Sequence, residues 1–343
     1  MTNISINIIG LGTETYPSGT TPLQILSSAK GVSKETIICK VDKVLTDLSV
    51  QLNSDCTVQF LDGKSKDGHN VLLHSTAHLM AQAVKRLYPK TKVTIGPFLE
   101  NRFYYDFDVE TPFTEEDLLK IEEEMLKISN ENIDIIHEEK TREEALSFFK
   151  NIGEDYKIEI INDLDDSEIL KVYAQGDFTD LCRGPHVQST GMMQHFKLLS
   201  SSAAYWRGDE NNQTLQRVYG TSFTSSKDLK KYLLMLEEQK KRDHRKIGKE
   251  LDLYFHDEEV GPGLPLWTPN GAVIIDQLEA LAKEKEDLGG YKRVRTPHLT
   301  KGTLYEKSGH LDHYMSSMYP AMDVDGTDYY MKPMNCPHHH KIY

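Results

Sequence analysis

Residues 71–88, VLLHSTAHLMAQAVKRLY, set Leu73, Ala77, Met80, Val84 and Leu87 at helical spacing and stop at Pro89. A helix over this stretch carries His74 and His78 one turn apart on one face. Much later, DFTDLCRGPHV (177–187) places Cys182 and His186 at the same separation on a turn-rich segment, where Gly184-Pro185 lets a loop fold back. If that loop faces the helix, three imidazoles and one thiol converge. Three readings are open: a zinc site, metal-free hydrolysis in which neutral histidine holds or deprotonates water, or a surface helix with two unrelated histidines and a cysteine acting as a small hydrophobe. Asp180, two residues before Cys182, is placed to orient a base or accept a substrate hydroxyl or amine. Lys157 and Tyr104 are further candidates from neighbouring strands, although alone they read as a solvated lysine and a core or rim tyrosine.

At 343 residues the chain exceeds one ordinary core, so two or three domains are expected. No apolar run is long enough for a transmembrane helix, and the N-terminus lacks the basic and apolar regions of a secretory signal. Cys39, Cys56, Cys182 and Cys336 are too few and too dispersed for a disulfide framework, which points to a reducing cytoplasm. The net charge of −13 argues against a nonspecific nucleic-acid coat. A local basic stripe, KDLKKYLLMLEEQKKRDHRKIGKELD (227–252), leaves room for a specific RNA contact.

Strand-like ISINII (4–9), a short helix opened by Thr21-Pro22 and closed by Gly31, and three β-rich runs make a small α+β module. DGKSKDGHN reads as its linker. Beyond the histidine helix, KVTIGPFLENRFYYDFDV is strand-rich, and TEEDLLKIEEEMLKISNEN is an acidic helix whose Thr114 and Asp117 form a capping box. TREEALSFFKNIG is a helix ended by Gly153, and KIEIIND (157–163) reads as a strand. FKLLSSSAAYWRG and LQRVYGTSF complete a second domain, and a long charged helix over 226–247 leads into a third region.

HSTAH with CRGPH resembles the editing domain of bacterial-type threonyl-tRNA synthetases, shared in outline with alanyl-tRNA synthetases. The opening residues resemble their β-grasp TGS module, and GPGLPLWTPNGAVIIDQLEALAKEKEDLGGYKRVRTPHL resembles class II motif 1 and its approach. KSGHLDHYMSSMY and MKPMNCPHH resemble threonyl-specific segments of that catalytic domain. The resemblance implies an α+β multidomain chain: a TGS domain over 1–63, an editing domain over 64–225, a basic linker helix over 226–247, and a truncated antiparallel-sheet class II catalytic domain over 248–343.

The resemblance also implies chemistry. His74, His78, Lys157, Asp180, Cys182 and His186 become catalytic candidates of an editing site, and Tyr104 a substrate-binding one. Cys336 corresponds to one of three zinc ligands of the aminoacylation site, with the other two expected beyond the end of this chain. The intact enzyme would join threonine to tRNA(Thr) as a homodimer, using ATP, Mg2+ and Zn2+. This chain, carrying one ligand of three, is expected to hold no cofactor firmly. Seryl-tRNA is the implied editing substrate. Serine lacks only a methyl of threonine, a difference worth about 1–3 kcal/mol in a binding pocket, so charging errors need a second site. A zinc-dependent hydrolase and a non-catalytic tRNA-binding module remain the alternatives.

Overall fold

The computed structural model describes residues 2–33, 35–165 and 168–343. The chain divides into two compact units, Met1–Lys240 and Lys241–Tyr343. The first begins with a mixed five-stranded sheet of β1 (Asn3–Ile8), β2 (Gly12–Pro17), β3 (Thr36–Val41), β4 (Val44–Thr46) and β5 (Cys56–Asp62), ordered β2-β1-β5-β3-β4. β1 runs parallel to β5, and the other pairings are antiparallel. β1 alternates exposed and buried residues, so Ile4, Ile6 and Ile8 meet Ile25 of α1 (Pro22–Ser28) in one apolar cluster with Cys39 and Val58. Thr21 and Gln24 close a capping box on α1, with Pro22 at its first position.

The organising element of the unit is α2 (Lys66–Leu87). It starts earlier than the apolar pattern indicates, because Ser65 accepts the Gly68 N–H and Asp67 sits in the first turn. The stretch read as a linker is therefore partly helix. Gly68 is required there, since a Cβ would lie 2.0 Å from the Asp62 carbonyl oxygen. Leu73, Ala77, Met80 and Val84 are fully buried as their spacing indicates, while Leu87 is exposed.

Burial on nearly every face of α2 follows from what surrounds it. After β6 (Lys92–Val93) and β7 (Phe98–Leu99) comes β8 (Arg102–Asp108), whose Phe103, Tyr105 and Phe107 point inward against the helix. α3 (Glu115–Glu131) packs alongside, capped by Thr114 and Asp117. β9 (Ile135–Lys140) then leads to α4 (Arg142–Asn151) and α5 (Asp155–Asp163). β10 (Leu170–Gln175) pairs with β9 and with β11 (Phe178–Leu181). Finally β12 (His195–Tyr205) and β13 (Thr214–Phe223) join β8 and β6 in an antiparallel sheet, ordered β12-β13-β8-β6 with β7 on β8.

Two elements differ from the sequence pattern. KIEIIND is not a strand but most of α5: Lys157 and Ile161 lie one turn apart on its buried face, and Ile161 packs with Ala145 and Phe149 of α4. Tertiary burial overrides the β-branched composition. The charged stretch over 226–247 forms α6 (Ser226–Lys241) and α7 (His244–Glu250), because Asp243 adopts an extended conformation and caps the second helix by accepting the Arg245 N–H.

The second unit, taken by itself, holds a two-stranded ribbon (Tyr254–Phe255 with Leu266–Trp267) and α8 (Pro269–Leu288). A three-stranded antiparallel sheet follows, with Thr327–Met331 between Leu299–Lys301 and Met322–Val324. No helix among the described residues is long and apolar enough to cross a membrane. Leu73→Ala, at the centre of the first unit's core, is expected to destabilise it by about 2–5 kcal/mol through lost burial and a residual cavity. The measurement is urea denaturation followed by circular dichroism and by hydrogen exchange of the α2 amides.

Candidate functional site: a buried histidine and cysteine cluster

The loop after β11 folds back onto α2 and brings the two sequence pairs together. The ligand-capable atoms of His74, His78, Cys182 and His186 all lie within 4.8 Å of one another. The His74 ring stacks on His186 at 4.6 Å, and His78 meets His74 and His186 edge-on at 4.8 and 4.4 Å. His78 and His186 are buried, whereas His74 and Cys182 are partly exposed and form the mouth.

One hydrogen bond assigns the ring proton of His74. His74 Nδ1 is 3.1 Å from the Gly96 carbonyl oxygen. A carbonyl only accepts, so the neutral ring carries its proton on Nδ1 and leaves Nε2 bare. Ser75 Oγ accepts the Val187 N–H (3.0 Å) and lies 3.0 Å from His186 Nδ1. With the hydroxyl proton donated to that nitrogen, His186 Nε2–H faces Cys182 Sγ at 3.1 Å; with Nδ1–H donated to the hydroxyl instead, Nε2 accepts from the thiol. Desolvation lowers the pKa of all three imidazoles, and neighbouring histidines push His78 and His186 down further, well below the ordinary value. Burial first, then the Asp180 charge, pushes the Cys182 thiol up. The cluster is thus neutral at pH 7, with a protonated thiol and one bare imidazole nitrogen at its mouth.

Behind it lies a buried ion pair. Lys157 Nζ contacts Asp180 Oδ1, and both residues are 1% exposed. The ammonium also donates to the Thr94 carbonyl oxygen (2.6 Å) and to Tyr105 Oη (3.2 Å), which occupies its three protons. Asp180 accepts the Leu181 N–H at 2.8 Å and the Tyr105 O–H at 2.6 Å, and its Oδ2 is 3.5 Å from His78 Nδ1. Both groups are saturated by protein partners, and in this arrangement they orient His78.

Tyr104 lies on the opposite face of β8. Its ring carries the Arg217 guanidinium at 3.9 Å, and Arg217 pairs with Asp106 through two bonds of 2.7 Å. The adjacent Tyr105 is the tyrosine that reaches the cluster. The alternation Phe103, Tyr105, Phe107 in RFYYDF was the signal for this. Cys336 is exposed at the start of the helix Cys336–Ile342. Among the described residues, the one cluster of three or more metal-capable groups is the four-residue set above.

A cleft of about 1150 Å³ runs along the N-terminal part of α2. Lys64, Lys66, His69, Phe223, Lys231 and Tyr232 are on its walls, together with Glu100 and Asp228. Phe98 also lines it, and its ring is 6.4 Å from that of His74.

Residues 170–219, which contain Asp180, Cys182 and His186, match the family described as "Threonyl and Alanyl tRNA synthetase second additional domain". This half of the site therefore matches a domain type whose description names two kinds of aminoacyl-tRNA synthetase. The chain is 49% identical over 96% of its length to the threonine–tRNA ligase of Anoxybacillus flavithermus, covering 51% of that protein. It is 48% identical to threonine–tRNA ligase 1 of Bacillus subtilis, again over 96% of this chain and 51% of the relative. A solved structure titled as the RNA binding domain of threonyl-tRNA synthetase from Cryptosporidium parvum Iowa II shares 35% identity. It covers 29% of this chain and 25% of its own, at a TM-score of 0.28 that carries no fold argument. The chain is a homologue of the threonine–tRNA ligases, matching their N-terminal part. It spans about half the length of the curated relatives it matches.

Two outcomes are expected. Lys157→Met leaves Asp180 uncompensated and destabilises the unit by about 3–5 kcal/mol, while Lys157→Met/Asp180→Leu recovers much of that loss; urea midpoints compare them. Because His78 and His186 stay neutral when folded, the unfolded chain binds their protons first. Stability therefore falls as pH drops through ~6.5, and imidazole NMR signals of these two residues titrate below that value.

Proposed function

We propose that this chain carries the editing site of a threonine–tRNA ligase and hydrolyses the ester of seryl-tRNA. The observation that carries the reading is the bare Nε2 of His74, a neutral base at the mouth of a buried, four-residue cluster. Water attacks the aminoacyl carbonyl carbon, and its proton passes to His74 Nε2. The carbon–oxygen bond to the terminal ribose breaks, and the ribose oxygen leaves with a proton, giving serine and free tRNA. His78, held from behind by Asp180 and Lys157, and His186, held by Ser75, form the fixed walls. Cys182, with its thiol protonated, acts as a wall and hydrogen-bond partner rather than as a nucleophile. Tyr105 enters as a residue that positions Asp180, and Tyr104 is proposed as a rim contact only.

The cleft beside Phe98 supports a nucleic-acid substrate. Lysines along a groove suit a phosphate backbone, and the exposed Phe98 ring gives a base a stacking surface. For the intact protein the reading is ATP-dependent joining of threonine to tRNA(Thr) in the cytoplasm by a homodimer, with Mg2+ and with Zn2+ held in part by Cys336. A mixed sheet with one helix supports a β-grasp TGS domain over 1–63, and the antiparallel sheet near the C-terminal end supports part of a class II catalytic domain over 248–343.

A second reading is favoured by the donor set itself. Three imidazoles and a thiol this close together suit zinc, which would lower the thiol pKa and polarise a bound carbonyl or water. For His186 to join, its proton would lie on Nδ1 and be donated to Ser75, which the hydroxyl permits. Deacylation of seryl-tRNA beside threonyl-tRNA, with and without chelator, separates the readings. We expect hydrolysis of the serine ester alone, surviving chelation, and a loss of about 100-fold or more in His74→Ala. Loss of activity on chelation with recovery by Zn2+ selects the metal reading, and inertness toward both esters selects a binding module.

A further inference from the structure

We propose that Asp47, carried by the N-terminal sheet module, is a positioning residue for the cluster: its carboxylate fixes the loop that bears Cys182 and His186. Asp47 follows β4 and is 8% exposed. Its Oδ1 accepts the backbone N–H of His186 at 2.9 Å, and its Oδ2 accepts the Tyr173 O–H at 2.8 Å. These partners are 139 and 126 residues away in the chain, so the carboxylate is a tether between the module and the site. Bonds from a neutral donor to a carboxylate are stronger than neutral pairs, which suits an acid at this point.

The tether acts on the ring as well as the backbone. Tyr173 lies against His186 with centroids 4.4 Å apart. The phenol also seats the turn, since a Cβ at Gly184 would come within 1.9 Å of Tyr173 Oη. The loop is thus held on one side by Asp47 and Tyr173 and on the other by Ser75, which takes the Val187 N–H. Asp47 is itself anchored, because Cys39 Sγ bonds to the carbonyl oxygen of the preceding Thr46 at 3.4 Å, and Cys39 belongs to the module's core. His137 Nδ1 lies 4.0 Å from Oδ2. Without the carboxylate the loop loses the His186 N–H bond that ties it to the module, and His186 and Cys182 lose their fixed distance from His74.

The proposal rests on the hydrolytic reading for its kinetic readout but not for its structural one. The test uses the full chain and its Asp47→Ala, Asp47→Asn and Tyr173→Phe variants. Asp47→Ala is expected to lower kcat for seryl-tRNA deacylation on the order of 10- to 100-fold with KM little changed, because the walls shift while the cleft does not. Asp47→Asn keeps an oxygen for the His186 N–H and should restore most of that loss, and Tyr173→Phe should fall between. In parallel, alkylation by iodoacetamide is followed at each cysteine by mass spectrometry. Cys182 should react faster in Asp47→Ala while Cys39, fully buried, stays slow. Unchanged kcat with unchanged Cys182 alkylation overturns the proposal. So does equal acceleration at Cys39 and Cys182, which would make Asp47 a folding contact of the module. If the unaltered chain is inert toward seryl-tRNA, the hydrolytic reading fails, and the alkylation ratio alone decides whether Asp47 positions the loop.

Discussion

The buried pair of Lys157 and Asp180 is the constraint on which the rest of the site depends. Two ions taken out of water are tolerated only if their remaining protons and lone pairs find partners. Here that demand draws Thr94, Tyr105 and the Leu181 N–H to one point. Those partners come from the chain before β8, β8 itself and β11, and Lys157 comes from α5, so satisfying two charges fixes four segments against α2. The loop bearing Cys182 starts directly from this fixed point, and His78 comes to rest 3.5 Å from the carboxylate. Such a pair contributes little net stability beside an apolar replacement, but it specifies one arrangement, and a site built from short contacts needs one arrangement.

The sequence made the histidine and cysteine pairs legible because each is local: i and i+4 on a helix, and a turn four residues long. Their convergence could be stated only as a condition, since it depends on α2 being buried on nearly all faces. Lys157 is a candidate in the sequence, but within a segment whose composition reads as a strand. Its helical face becomes visible only when Ile161 is seen against Phe149 of α4. The choice between Tyr104 and Tyr105 was available from the period-two alternation of RFYYDF. Asp47 had no such signal, because a polar residue in VLTDLSVQL looks like an ordinary turn acid until a chain segment far away closes on it.

A cluster of neutral imidazoles has a chemical consequence on the hydrolytic reading. A histidine with a depressed pKa is a weaker base, yet at neutral pH nearly every copy is unprotonated and available. An aminoacyl ester is an activated acyl group, so a weak base that is always ready suits it better than a strong one that is half protonated. Burial, which lowers the pKa, also strengthens each hydrogen bond that holds the rings in place.

On the proposed editing reading, discrimination between serine and threonine is a question of rigidity. A pocket rejects an added methyl only if its walls cannot move aside, because overpacking is costly where neighbours are close-packed and cheap where they yield. His78 is backed by the ion pair, His186 by Ser75 and by the Asp47 tether, and His74 by the Gly96 carbonyl. Each wall has its own support from a different segment, and one of those supports comes from the N-terminal module. On this argument the small module belongs to the selectivity of the site as well as to its surroundings: loosening it should admit the larger ester before it abolishes hydrolysis of the smaller one.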